Sequence, residues 1–128
     1  MNSDLDEYEK RHGIDLDYRE FFLVMADASG QSLGVLHGYT AYEEIYIDDL
    51  WVDSRYRRSG LGRQLMQALE NSYEGKGFNN INLVTSAFQA PAFYEKCGFE
   101  LEFKRVNTSN PRLTKFFFVK YFSQASPP

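Results

Sequence analysis

The residues best suited to chemistry crowd into one short stretch: Arg57, Arg58, Ser59, Gly60, Leu61, Gly62 and Arg63. Glycines let a backbone approach a ligand closely, and the free N–H groups of a first helical turn point at whatever lies before them. The helix dipole adds partial positive charge there, and the arginines add full charges. Residues of these types in this order build a cradle for a compact anion such as a pyrophosphate. Two nucleotide-binding patterns are excluded, because the stretch lacks the Lys-Ser/Thr ending of a P-loop and is not G-x-G-x-x-G with a following acidic residue. The plainer alternative is a glycine-rich helix start with solvated arginines. The strand before it and the apolar helix after it favour the anion site.

Other reactive types are scattered. Cys97 is the lone cysteine, so it forms no internal disulfide, and no cysteine/histidine spacing resembles a metal site. Core packing is its expected role. His37 lies in a strand-like segment, where it is either structural or turned toward a substrate cleft, and His12 sits near a helix end as a surface residue.

These residues need elements to hold them. A helix is expected over 3–12, with Ser3 as N-cap, acids in the first turn and Gly13 as the stop. Strands are expected over 19–27 and 32–41, joined by the turn A-S-G-Q into a hairpin. A third strand over 44–52 alternates imperfectly: Ile45, Ile47 and Asp49 share one face, while Tyr46, Asp48 and Leu50 share the other. From Gly60 the period changes, and Leu61, Leu65, Ala68 and Leu69 mark a helix over 59–73. A strand over 80–85, a short helix over 89–96 with Pro91 in its first turn, and strands over 99–106 and 113–122 complete the order. Consecutive strands followed by crossover helices imply an α/β (α+β) fold, one mixed sheet with helices on both faces. The chain reads as a single domain over 1–128, with an N-terminal helical segment over 1–18 and a disordered tail over 123–128.

Composition narrows the class. At 128 residues, 43% hydrophobic and 16% aromatic, the chain is long and apolar enough to bury a core. Its net charge of −4 argues against non-specific nucleic-acid binding, so the local arginine cluster suits a small anion better than a polyanion. No signal peptide and no apolar run of membrane-spanning length are visible, and the reading is of a soluble cytoplasmic protein with no membrane partner. The F-F-F-V run at 116–119 reads either as a fully buried strand or as part of a homodimer interface.

Arg57 to Gly62 reads R-R-S-G-L-G, which resembles the R/Q-x-x-G-x-G/A signature of the GNAT acetyltransferases, and Val52 stands five residues ahead of Arg57, as in that superfamily. Residues 87–99, A-F-Q-A-P-A-F-Y-E-K-C-G-F, resemble the family's N-x-x-A-x-x-x-Y-x-x-x-G-F segment. The strings L-W-V-D and F-Q-A-P-x-F-Y-E-K-x-G-F resemble a group of small bacterial members. The resemblance runs from about residue 20 to 122, with both motifs in the expected order.

The resemblance implies a V-shaped splay between the strand over 44–52 and its parallel neighbour. It also implies acetyl-CoA as cosubstrate, no metal, and transfer of the acetyl group directly to an amine acceptor on a small molecule or peptide. Pantetheine would bond to backbone at Leu50, Trp51 and Val52, the pyrophosphate to N–H groups from Arg57 to Arg63, and Phe88, Phe93 and Tyr94 would face the arm. Tyr94 takes the family's general-acid position, protonating the departing thiolate; its alternative is a core aromatic. Histone-type members carry a glutamate where this chain has Tyr46. Glu44 and Asp48 share that residue's face and are candidates for a base or water relay, or else are solvated carboxylates. Ala87 replaces the family's asparagine, and the family's first strand and first helix are absent or abbreviated. These departures motivate an alternative, a coenzyme-A-binding or regulatory module of the same fold with little turnover.

Overall fold

The computed structural model describes residues 3–123, the Ser3 side chain aside. The chain runs α1 (Ser3–Arg11), β1 (Arg19–Ala26), β2 (Ser32–Ala41), β3 (Glu44–Val52), α2 (Leu61–Tyr73), β4 (Asn80–Ser86), α3 (Pro91–Lys96), β5 (Glu100–Arg105) and β6 (Lys115–Tyr121), with short 3-10 turns at Ser54–Tyr56 and Pro111–Leu113. The order of elements is the expected one, and the differences at their ends have local causes. Gly60 is left-handed (φ 85°) and caps α2, so the helix begins at Leu61. The Asn110 side chain accepts from Arg112 N and closes the turn that delays β6 to Lys115. Of the expected disordered tail only Ser123 is described; residues 124–128 lie outside the described residues.

The strands form one six-stranded mixed sheet in the order β1-β2-β3-β4-β6-β5. The β1–β2 turn forms because the Asp27 carboxylate accepts from Ser29 N at 2.9 Å and Gln31 N at 3.0 Å. The β3–β4 pair is parallel, and the intervening α2 is the crossover that a parallel pair requires. Leu65, Met66 and Leu69 of α2 and Tyr94 and Cys97 of α3 pack into one buried cluster with Leu36, Ile45, Ile47, Ile81, Leu83 and Phe118.

Helices α2 and α3 therefore pack on the same face of the sheet. The crossover from β3 to β4 and the return toward β6 both run over the side carrying Leu36, Ile45, Ile81 and Phe118. On the opposite, open face Phe22, Val24 and Val84 are exposed. The F-F-F-V run is inside the sheet: Phe118 and Val119 are buried, and Phe117 meets Phe103 of β5 with ring centroids 5.6 Å apart.

Lys120 ties this layer together. Its ammonium donates to the Cys97 carbonyl at 2.8 Å and pairs with Glu70 Oε1 at 2.9 Å, joining β6, α2 and the end of α3. Among the described residues no helix is long and apolar enough to cross a membrane.

Candidate active site

Two features of β3 create the site. The first is a β-bulge: His37 pairs with Asp49 but Gly38 pairs with Ile47, leaving Asp48 as an extra residue. Before the bulge Ile45 and Ile47 face the helices; after it Leu50, opposite Leu36, faces them. One inserted residue thus reverses the strand's faces and explains the broken alternation. The second is a splay. The β3–β4 ladder holds only Glu44↔Asn80, Ile45↔Ile81 and Tyr46↔Asn82, after which the strands part. Beyond Tyr46 the edge of β3 facing β4 has no strand partner, and its backbone groups are open to a ligand.

On the helix side of the gap lies a cavity of about 780 Å³, within the usual range for small-molecule and cofactor sites. It is lined by Leu50, Trp51, Val52, Tyr56, Arg57, Arg58, Gly60, Leu61, Gly62, Arg63, Ala90, Phe93, Tyr94, Lys96 and Cys97. Among the described residues the lining holds four cations and no carboxylate. Arg57, Arg58, Arg63 and Lys96 have no ion-pair partner among the described residues, whereas Arg55 is drawn aside by Asp53, Nε to Oδ1 at 3.1 Å and Nη2 to Oδ2 at 3.2 Å. That pairing with Arg55 holds the Asp53 carboxyl below its ordinary range. α2 opens into the cavity with no side-chain cap at Gly60, so the first-turn N–H groups and the helix dipole face it. Gly60 holds φ +85° with nothing within 4 Å of a Cβ there, so the cost of a side chain is purely conformational. Gly60→Ala is expected to destabilise the fold by about 1–2 kcal/mol, read as a lowered denaturation midpoint.

Tyr94 closes the floor. It is 9% exposed, its ring set edge-on to Phe93 at 5.2 Å and to Phe99 at 5.9 Å. Its hydroxyl has no hydrogen-bond partner among the described residues. Burial first, then the nearby Cys97 and Asp49, push its pKa up to about 12. Such a phenol keeps its proton at every physiological pH and so stands ready as a donor to a base formed beside it.

The structure brings Leu50, Trp51, Val52, Arg57, Arg58, Gly60, Leu61, Gly62, Arg63, Phe93 and Tyr94 to this one cavity. Two residues expected to face the cofactor do not line it. The Ser59 hydroxyl is spent on the Tyr56 carbonyl, and Phe88 is drawn toward the turn before β6 by its N–H bond to Arg112 O at 3.1 Å, leaving its ring exposed. Tyr56, Ala90 and Lys96 line the cavity without having been singled out; only the i+4 spacing of Tyr56 from Gly60 and the last-turn position of Lys96 hinted at them. Cys97 both joins the core and touches the cavity, and burial raises its thiol pKa.

Glu44 and Asp48 are not in this cavity. Glu44 accepts from the Tyr46 hydroxyl at 2.7 Å and from Asn80 Nδ2 at 3.0 Å. Tyr46 is pushed up to about 12, chiefly by that bond to Glu44. Asp48 lies on the open face, where a second, smaller cavity of about 200 Å³ is lined by Tyr39, Tyr46, Ile47, Asp48, Asn82, Leu83 and Val84. His37, nearby, is clamped by Glu20 at 2.8 Å and Asp49 at 3.3 Å and stacked on Phe22 at 4.4 Å. These bonds, Glu20 first, raise its pKa.

Several known proteins are similar to this chain. Residues 2–99 match the model of the Acetyltransferase (GNAT) family. Blasticidin-S acetyltransferase of Streptomyces morookaense is 33% identical over 92 residues, 71% of this chain and 67% of that protein. Among solved structures, an acetyltransferase from Bacillus cereus ATCC 14579 superposes with a TM-score of 0.81 at 28% identity, covering 94% of this chain and 87% of that one. The ribosomal-protein-S18-alanine N-acetyltransferase from Escherichia coli gives 0.69 at 26% identity, covering 94% and 79%.

Proposed function

Because the chain belongs to the GNAT acetyltransferase family, we propose that it moves an acetyl group from acetyl-CoA to an amine by direct transfer between two bound substrates. The observation that carries this is the cationic, carboxylate-free cavity at the N-terminus of α2, opening beside the unpaired edge of β3. A coenzyme A diphosphate suits the first-turn N–H groups of α2 and the side chains of Arg57, Arg58 and Arg63. The pantetheine arm suits the backbone of Leu50 to Val52, where it extends β3 as a missing strand would.

The thioester then lies at the gap, where an acceptor from the open face can reach it. Holding both reactants there removes most of the entropic cost of their encounter. Backbone N–H groups on the unpaired edge of β3 stabilise the oxyanion of the tetrahedral intermediate. As the C–S bond breaks, Tyr94 donates its proton to the thiolate. An ammonium acceptor loses two protons in all. One leaves through the Tyr46 hydroxyl, which passes its own proton to Glu44 over their 2.7 Å bond; the other restores Tyr94. Tyr46 acts as a relay and Glu44 as the base.

Titration calorimetry tests the foundation. Acetyl-CoA is expected to bind, and Arg57→Ala, Arg58→Ala and Arg63→Ala each to weaken it by roughly tenfold, with the loss shrinking as salt rises. No heat from a folded protein would reject the reading. Binding without thiol release on any amine would favour the non-catalytic coenzyme-A module.

A further inference from the structure

The open-face cavity has a chemistry of its own, and its use depends on the acetyl transfer just proposed. We propose that this cavity seats the end of an unbranched primary alkylamine, captured as its ammonium by the Asp48 carboxylate, the Asn82 side-chain oxygen and the Tyr46 oxygen.

The position fits an acceptor. The cavity borders the splay from the face opposite the cationic cavity, and the two draw on neighbouring stretches of β3: Tyr46, Ile47 and Asp48 on one side, Leu50, Trp51 and Val52 on the other. The bulge at Asp48 separates them and turns the strand from one cavity to the other.

Polar groups set the ligand's charge. Asp48 has no ion-pair or hydrogen-bond partner among the described residues. Asn82 Nδ2 donates to Asn80 Oδ1 at 2.8 Å, which aims its own oxygen away from that bond. The Tyr46 hydroxyl donates to Glu44 and leaves its oxygen lone pairs free to accept. Among the described residues no cation lines the cavity, and nearby His37 is held between Glu20 and Asp49. An ammonium brings three N–H donors to three acceptors and a positive charge to an unpaired carboxylate.

Shape sets the rest. A volume of about 200 Å³ is below the range for whole drug-sized ligands, so the cavity takes the end of a molecule. Tyr39 and Tyr46 stack at 5.0 Å and 16° into a flat wall and Val84 adds an exposed apolar side chain, while Ile47 and Leu83, whose side chains pack in the core beneath the helices, border the cavity from the strands. A methylene chain lies along such a wall with its ammonium near the ring faces. A branch on the amine-bearing carbon meets the wall, and a carboxylate there meets Asp48.

Thiol release with n-butylamine, alaninamide and alanine, run beside acetyl-CoA calorimetry, tests this. The expected result is a kcat/KM for n-butylamine at least about tenfold above both others. Asp48→Asn should raise the KM for n-butylamine roughly 10–100-fold, with kcat and acetyl-CoA affinity near wild type. Asp48 is exposed, so the variant should fold as wild type, and its melting curve checks that. The assignment is overturned if alaninamide matches n-butylamine, if Asp48→Asn leaves KM unmoved, or if acetyl-CoA binds and no amine is turned over. Absence of acetyl-CoA binding would instead bring down the acetyl-transfer reading on which it rests.

Discussion

Replacing Tyr94 by phenylalanine is expected to lower kcat for thiol release by roughly 10²–10³-fold, with acetyl-CoA affinity and melting temperature close to wild type. The separation follows from what each part of the side chain does. The ring is wedged between Phe93 and Phe99 and lies 6.2 Å from Phe118, and phenylalanine keeps all of that packing. The hydroxyl bonds to no described residue, so its loss leaves no partner unsatisfied. What disappears is the proton for the departing thiolate. The pH signature is as specific as the rate. An unfolded tyrosine ionises near 10, whereas folded Tyr94 holds its proton to about 12. Below pH 10 the stability linked to this group is whole. Between pH 10 and 12 it is lost, because the unfolded chain has released a proton that the folded chain still carries. Tyr46 is raised to the same level and titrates in the same window. Tyr94→Phe should therefore leave the pH–rate profile below pH 10 unchanged in shape while lessening the loss of stability above it. An unchanged kcat would hand the acid role to solvent.

Much of this was legible from local spacing. The basic turn and the start of α2 lie within seven consecutive residues, and glycine and arginine state their roles through backbone freedom and charge alone. The broken alternation of β3 was visible too, in Asp49 falling into register with Ile45 and Ile47. Its cause was not, because a bulge is defined against the partner strand, and nothing near Asp48 says that His37 pairs with Asp49 while Gly38 pairs with Ile47. Ser59 and Phe88 stay out of the cavity lining for a similar reason. Their neighbours in sequence face the cavity, but Tyr56 O and Arg112 O claim their polar groups. The open-face cavity needed Asn82 beside Tyr46, thirty-six positions apart and joined only where β3 and β4 pair. The placement of α2 and α3 on one face likewise depended on the sheet order, which places β6 beside β4 and puts β5 on the edge.

Gly38→Ala is expected to be the most destabilising single-methyl change in the sheet, costing about 3–5 kcal/mol and lowering the melting temperature by roughly 10–20 °C. A Cβ at Gly38 would run into the Tyr46 carbonyl oxygen and come within 2.8 Å of Phe21 Cζ. The Phe21 ring can tilt aside. The carbonyl cannot, because it belongs to the backbone of β3 at the last residue still paired to β4. Relief requires β2 and β3 to separate beside the bulge, which breaks ladder bonds on both sides of Gly38. Tyr46 would move with its backbone, disturbing its 2.7 Å bond to Glu44 and the wall it forms with Tyr39. The variant should therefore lose turnover even under stabilising conditions where most molecules are folded, while acetyl-CoA binding at the far end of β3 declines less. Equal loss of both would mean that the two cavities share one rigid strand. Wild-type stability would mean that β2 and β3 do not approach as closely at Gly38 as the bulged register requires.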